Sequence, residues 1–207
     1  DRYASARATR GYCNDCGGCG VTRIQDAQDD MRDGYHSGAP GVLASSLAWS
    51  AAAASVVLLS PQQAVWVLFF GGMFIFPVGV VIGKILGGRA THSKGNPLAS
   101  LATANTAWML LCFPLAFAAQ MQMIEWFFPA VLLIIGGRYL TFAVMYGMKI
   151  YWVLGFALAG VGMATGYLAV APIVSAAAGA GIELVLAIVL FVLHGQWVRG
   201  RTAPAAA

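Results

Sequence analysis

Two charged side chains stand inside long apolar runs, and any chemistry this chain performs in an apolar medium has to involve them. Arg138 lies in IIGGRYLTF and Glu183 in AGAGIELVLAIV. A charge at the centre of a bilayer costs between about 2.5 and more than 10 kcal/mol, so it is rarely left facing lipid. Gly136 and Gly137 precede Arg138 and would let a neighbouring helix come close. On helices running the same way, Arg138 falls roughly 18 Å and Glu183 roughly 12 Å below one membrane face, at 1.5 Å per residue. A long Arg side chain spans the difference of about 6 Å. The two are expected either to form an intramembrane ion pair, which would only fix helix register, or to line one polar cavity that handles a substrate or a proton.

Other polar and irregular residues are secondary candidates. Thr103, Asn105 and Thr106 share one turn, where they would hydrogen-bond to other helices or line a path. Pro77 and Pro114 fall within apolar runs and are expected to kink them. Gly79 with Gly83, and Gly162 with Gly166, have the small-xxx-small spacing that brings helices together, within the chain or between copies in a homo-oligomer. Cys13, Cys16 and Cys19 resemble part of a zinc or iron–sulfur site, but a closed site needs four ligands and no fourth cysteine is near. No cofactor is expected, and no enzyme: the sequence has no Ser/His/Asp constellation at matching depth, no paired intramembrane aspartates and no Gly-rich phosphate loop.

The elements that must position these residues are legible from composition. Of 207 residues, 59% are hydrophobic and 10% charged, against about 25% charged in soluble domains. Such a chain lacks the polar surface to stay in water, so its solvent is the bilayer. Six runs are long enough to span, at 40–59, 64–86, 97–119, 126–147, 151–171 and 174–193. Asn96 is placed to cap the third, with Pro97 at its first turn. The net charge of +4 comes from Lys and Arg gathered in short loops and tails, which is a topology signal and not a nucleic-acid surface. Arg23, Arg32, Lys84, Arg89, Lys94, Lys149, Arg199 and Arg201 all fall on one side if the N-terminus is inside, and the opposite loops SPQQ and QMQMIE hold no Lys or Arg. The expected fold is an all-α transmembrane bundle with both ends in the cytoplasm, lying in the inner membrane. Trp66, Trp126, Trp152, Tyr151 and Trp197 fit an interfacial belt, while Trp49 and Trp108 lie deeper and read as packing residues.

Residues 1–21 read as a disordered Cys-rich leader, with Val21 as a candidate alternative start. Residues 22–37, with Ile24, Ala27, Met31 and Tyr35 at helical spacing and Thr22 as a cap, read as a juxtamembrane or solvated cytoplasmic helix. Residues 38–196 form the bundle, and 197–207 a disordered basic and then Ala/Pro-rich tail.

The stretches IQDAQDDMRDGYHSGAPGVLASSLAW, FPVGVVIGKILG, NPLASL and GGRYLTFAVMYG resemble an uncharacterised bacterial membrane family, catalogued as domain of unknown function 7010. The likeness covers about residues 22–170. It implies a multi-pass membrane protein, and carries no activity and no site residues. Two functions follow as expectations. One is a small transporter or channel-like carrier with a polar core at Arg138 and Glu183. The other is a non-catalytic scaffold or sensor subunit whose partner binds the cytoplasmic helix or the loop GGRATHSKGN.

Overall fold

The computed structural model describes residues 24–202. Within them the chain runs α1 (Ile24–Tyr35), a 3-10 turn (His36–Gly38), α2 (Ala39–Leu58), α3 (Pro61–Ile85), α4 (Leu98–Gln122), a second 3-10 turn (Ile124–Trp126), α5 (Phe127–Tyr146), α6 (Ile150–Tyr167) and α7 (Pro172–Thr202), with no strand among the described residues. Six helical stretches, containing α2 to α7, are long and apolar enough to cross a membrane. Cys13, Cys16, Cys19, Thr22 and the rest of the leader lie outside the described residues.

Helix boundaries follow local chemistry. Pro61 opens α3 behind Ser60, whose hydroxyl accepts from the Gln63 amide at 3.2 Å. Asn96 Oδ1 accepts from the Leu98 amide at 2.9 Å, as expected of a cap. Gly147, at φ +59°, closes α5 in the left-handed conformation. Pro77 and Pro114 lie inside α3 and α4, and both helices continue through them. The last helix departs from expectation. The apolar run ends near Leu193, yet α7 continues to Thr202. Trp197 explains the extension, because the guanidinium of Arg201 lies 4.6 Å and that of Arg32 6.0 Å from its ring. Residues 203–207 lie outside the described residues.

The broadest interfaces join α2 to α3, α5 to α6 and α2 to α7, and α4 rests chiefly on α5. Trp49, Phe127, Phe128 and Tyr151 fill the core. Because lipid is as apolar as leucine, helices associate here by close packing. A Cβ at Gly79 would come within 3.1 Å of Gly41 Cα, one at Gly162 within 2.8 Å of the Pro129 carbonyl oxygen, and one at Gly136 within 2.8 Å of the Gly155 carbonyl oxygen. Gly83 and Gly166 face Pro40 and Pro129. The glycine faces expected to join copies are therefore occupied within the chain. The outer faces are apolar, with Phe74, Phe76, Leu111 and Leu115 all exposed, as befits a bundle whose solvent is lipid. Trp108 is among these exposed residues and does not pack inward.

α1 is neither free nor loosely attached. Arg32 donates from Nη2 to the Gly147 carbonyl at 2.8 Å and from Nε to that of Tyr146, and Gln28 Nε2 donates to Val144 at 2.7 Å. Carbonyls at the end of α5 that have no partner within their own helix are satisfied in this way. Asp30 fastens the α3–α4 loop: its carboxylate accepts from the Ser93 amide at 2.8 Å, Ser93 Oγ at 2.7 Å and Asn96 Nδ2 at 2.9 Å, and it pairs with Arg89 at 3.2 Å. The elbow into α2 places His36 and Ser37 at φ +50° and +55°, a conformation costing of order 1 kcal/mol or more for non-glycine residues. Gly38 follows at φ +81°, where a Cβ would meet Tyr151 Oη at 2.3 Å.

Candidate functional site

Consecutive residues on a helix point about 100° apart, and α5 uses this at Arg138 and Tyr139. Tyr139 turns toward α7 and donates its hydroxyl to Glu183 Oε1 at 2.9 Å. Arg138 turns toward α4, where Nη1 lies 3.2 Å from Met109 Sδ and the guanidinium carbon 5.2 Å from the Phe142 ring centroid. The expected ion pair is absent: among the described residues no carboxylate lies within 4.0 Å of the Arg138 guanidinium. The two groups attract each other through space, but each makes its direct contacts with a different helix.

Glu183 is 0% exposed, and its Oε2 has no partner. Ser45 of α2 borders both Glu183 and Tyr139. The same seam continues one turn on each helix. Trp49 stands over Gly179, where a Cβ would come within 2.9 Å of the indole, and Trp49 Nε1 and Ser175 Oγ are buried without partners. Five buried polar groups thus share the α2–α5–α7 junction, with the hydroxyls of Tyr139 and Ser45 directed to the Glu183 carboxyl.

Arg138 is only partly buried, and its Nε has no partner. Asn105 comes to the same place and donates to the Arg138 backbone carbonyl at 3.4 Å. Thr103 and Thr106 do not reach across. Each donates to a carbonyl of its own helix, Ala99 at 3.1 Å and Ala102 at 3.0 Å, and both are exposed. The structure therefore assembles two separate polar sites: Arg138 with Asn105 and Met109 at α4–α5, and Glu183 with Tyr139 and Ser45 at α2–α5–α7.

A family model described as a family of unknown function (DUF7010) matches residues 24–193. The chain belongs to the DUF7010 family. The match extends beyond the stretch that carried the resemblance and takes in the helix bearing Glu183. No curated protein and no solved structure matches the chain. Sequence reasoning about this DUF7010 member missed Tyr139, Ser45 and Ser175, and read Trp49 correctly as a deep packing residue but not as a neighbour of this seam. The available signal was helical spacing: Ser45 with Trp49, and Ser175 with Gly179 and Glu183, each recur every four residues.

A second polar region lies at the end of the bundle that carries α1. The His36 and His194 rings lie 4.8 Å apart, Ser37 Oγ meets His194 Nδ1 at 3.0 Å, and Tyr151 Oη donates to the Ser37 carbonyl at 2.6 Å. The Tyr151 ring stacks on Tyr139 at 6.0 Å, which joins this region to the Glu183 seam through aromatic contact. Nearby, α1 and the end of α7 enclose an open cleft of about 500 Å³, crossed by Asp29 and Arg201 at 3.9 Å.

Proposed function

We propose that the protein is a small carrier of the cytoplasmic membrane, with Arg138 as the substrate-binding group and Glu183 as the proton-carrying group. One observation carries this reading. Two ionisable residues are kept in the spans near enough to attract each other through space, yet with no direct contact between them. A pair kept for structure alone gains from contact, whereas separate intramembrane charges mark a substrate or proton path. Tyr139, next to Arg138 in sequence and bonded to Glu183, supplies the mechanical connection between the two sites. No catalytic group is needed.

The test is proton movement in proteoliposomes loaded with a pH-sensitive dye and challenged with a panel of mono- and dicarboxylates, sulfonates and phosphate monoesters. At least one class should drive protein-dependent acidification of the lumen, and Glu183→Gln should abolish it. If every anion gives the trace of protein-free vesicles, the carrier reading is wrong.

A second reading, a non-catalytic scaffold or sensor, is favoured by the cleft at the α1 end, where four aspartates, Asp26, Asp29, Asp30 and Asp33, outnumber Arg89 and Arg201 beside Trp197. A basic segment of a cytoplasmic partner would suit that surface. The loop GGRATHSKGN is less available to a partner, because Asp30 holds its Ser93 and Asn96.

A further inference from the structure

Arg138 points the wrong way for an arginine that merely escapes the membrane. It lies eight residues before Tyr146, the last residue of α5, or about 12 Å along the axis at 1.5 Å per residue. A long cationic side chain at that depth ordinarily extends to the nearer interface. Here Nη1 reaches Met109, which is eleven residues into α4 and so roughly 16 Å from that helix's start. The guanidinium thus stays between α4 and α5, well inside both apolar helices. Its neighbours there are a thioether and a phenyl ring, both weak partners for a group with five N–H donors, and Nε has none.

Among the described residues no carboxylate touches the Arg138 guanidinium. Glu183, the carboxylate of the described spans, attracts it only through space, is 0% exposed and is bonded to Tyr139, so a second copy of the chain cannot present it either. The surface of α4 beside Met109 is apolar, with Trp108 and Leu110 exposed. The phosphate of a resident phospholipid stays near the interface, about 15 Å from the centre of a 30 Å hydrocarbon layer. We propose that Arg138 binds the carboxylate of a long-chain monocarboxylic amphiphile that enters from the lipid beside α4. The guanidinium fork holds a carboxylate through two parallel hydrogen bonds, and the exposed apolar side chains receive the tail.

This names a substrate class for the carrier, and rests on that reading for transport but not for binding. The purified full chain in neutral detergent, examined by native mass spectrometry, should bind oleate one to one. Octadecanol, acetate and dioleoylphosphatidylglycerol should each bind at least about tenfold more weakly, the scale of a charge-assisted contact. Arg138→Leu and Arg138→Gln should lose oleate by a similar factor, and Arg138→Lys should lose part of it, with thermal midpoints recorded for every variant. Oleate binding unchanged in Arg138→Leu would overturn the proposal. So would equal binding of octadecanol (tail alone), of acetate (charge alone) or of phosphatidylglycerol (a lipid headgroup). The wild-type ligand series decides the matter even if a variant does not fold. Oleate binding without proton flux would retain this site and sink the carrier; flux with another anion and no oleate binding would do the reverse.

Discussion

At Glu183 one oxygen accepts from Tyr139 and the other has no partner, so deleting the carboxyl strands a hydroxyl in a dry core. Glu183→Leu should therefore cost about 1–3 kcal/mol. Combined with Tyr139→Phe it should show a coupling of about 0.6–1.7 kcal/mol, the range of interhelical hydrogen bonds in membranes. The corresponding cycle between Arg138 and Glu183 should give a smaller coupling than the Tyr139 pair, because these two attract only through space and share no hydrogen bond. Arg138→Leu should leave unfolding unchanged or raise its midpoint, since it removes a charge with no carboxylate in contact. Denaturation in mixed micelles reads all of these, and a strong Arg138–Glu183 coupling would refute the two-site arrangement. That arrangement was half legible in the sequence. Residue type and depth identified Arg138 and Glu183 as the groups to watch, because an apolar run makes a charge conspicuous. Direction was not legible: one residue of helix turns a side chain by about 100°, and nothing in IIGGRYLTF says which neighbour stands on which side.

Among the elements, α1 and the α3–α4 loop form a clasp with a pH dependence of known sign. Burial pushes the Asp30 carboxyl up, but hydrogen bonds from Asn96, Ser93 and Arg89 outweigh it and hold the group at about 2, below its ordinary 3.8. A depressed carboxyl contributes stability that is fully present above its unfolded value and is lost as pH falls through its folded one. Amide exchange in α1 should be slow at neutral pH, accelerate as pH drops from about 4 toward 2 after correction for intrinsic rates, and in Asp30→Asn lose most of that acid dependence. An unaltered acid response in the variant would place the clasp elsewhere. The pairing of α5 with α6 makes a separate demand. Gly136→Ala would set a methyl against the Gly155 carbonyl, a backbone atom that cannot swing aside, and should destabilise by about 1–3 kcal/mol as overpacking does. A thermal midpoint equal to wild type would show that the helices separate more freely than the contact implies. The clasp was hidden in the sequence because its partners are loop residues 59–66 positions away from Asp30, beyond the reach of any periodicity.

For the molecule as a whole, the six apolar runs were readable to within about four residues at every end but the last, because hydrocarbon leaves each backbone amide no partner but its own helix. The overrun of α7 was not, since hydropathy stops at Leu193 and the contacts that continue the helix come from α1. Those contacts also set a schedule for biogenesis. Arg32 is among the first described residues to be synthesised, yet the carbonyls it caps belong to Tyr146 and Gly147, 114 and 115 residues later. At roughly 5–20 residues per second, the acidic helix waits on the order of ten seconds beside the translocon before its dock exists. Assembly of this end is therefore a late step, completed only after the fourth span has entered the bilayer, and a ribosome stalled before Tyr146 would leave the first helix without its anchor.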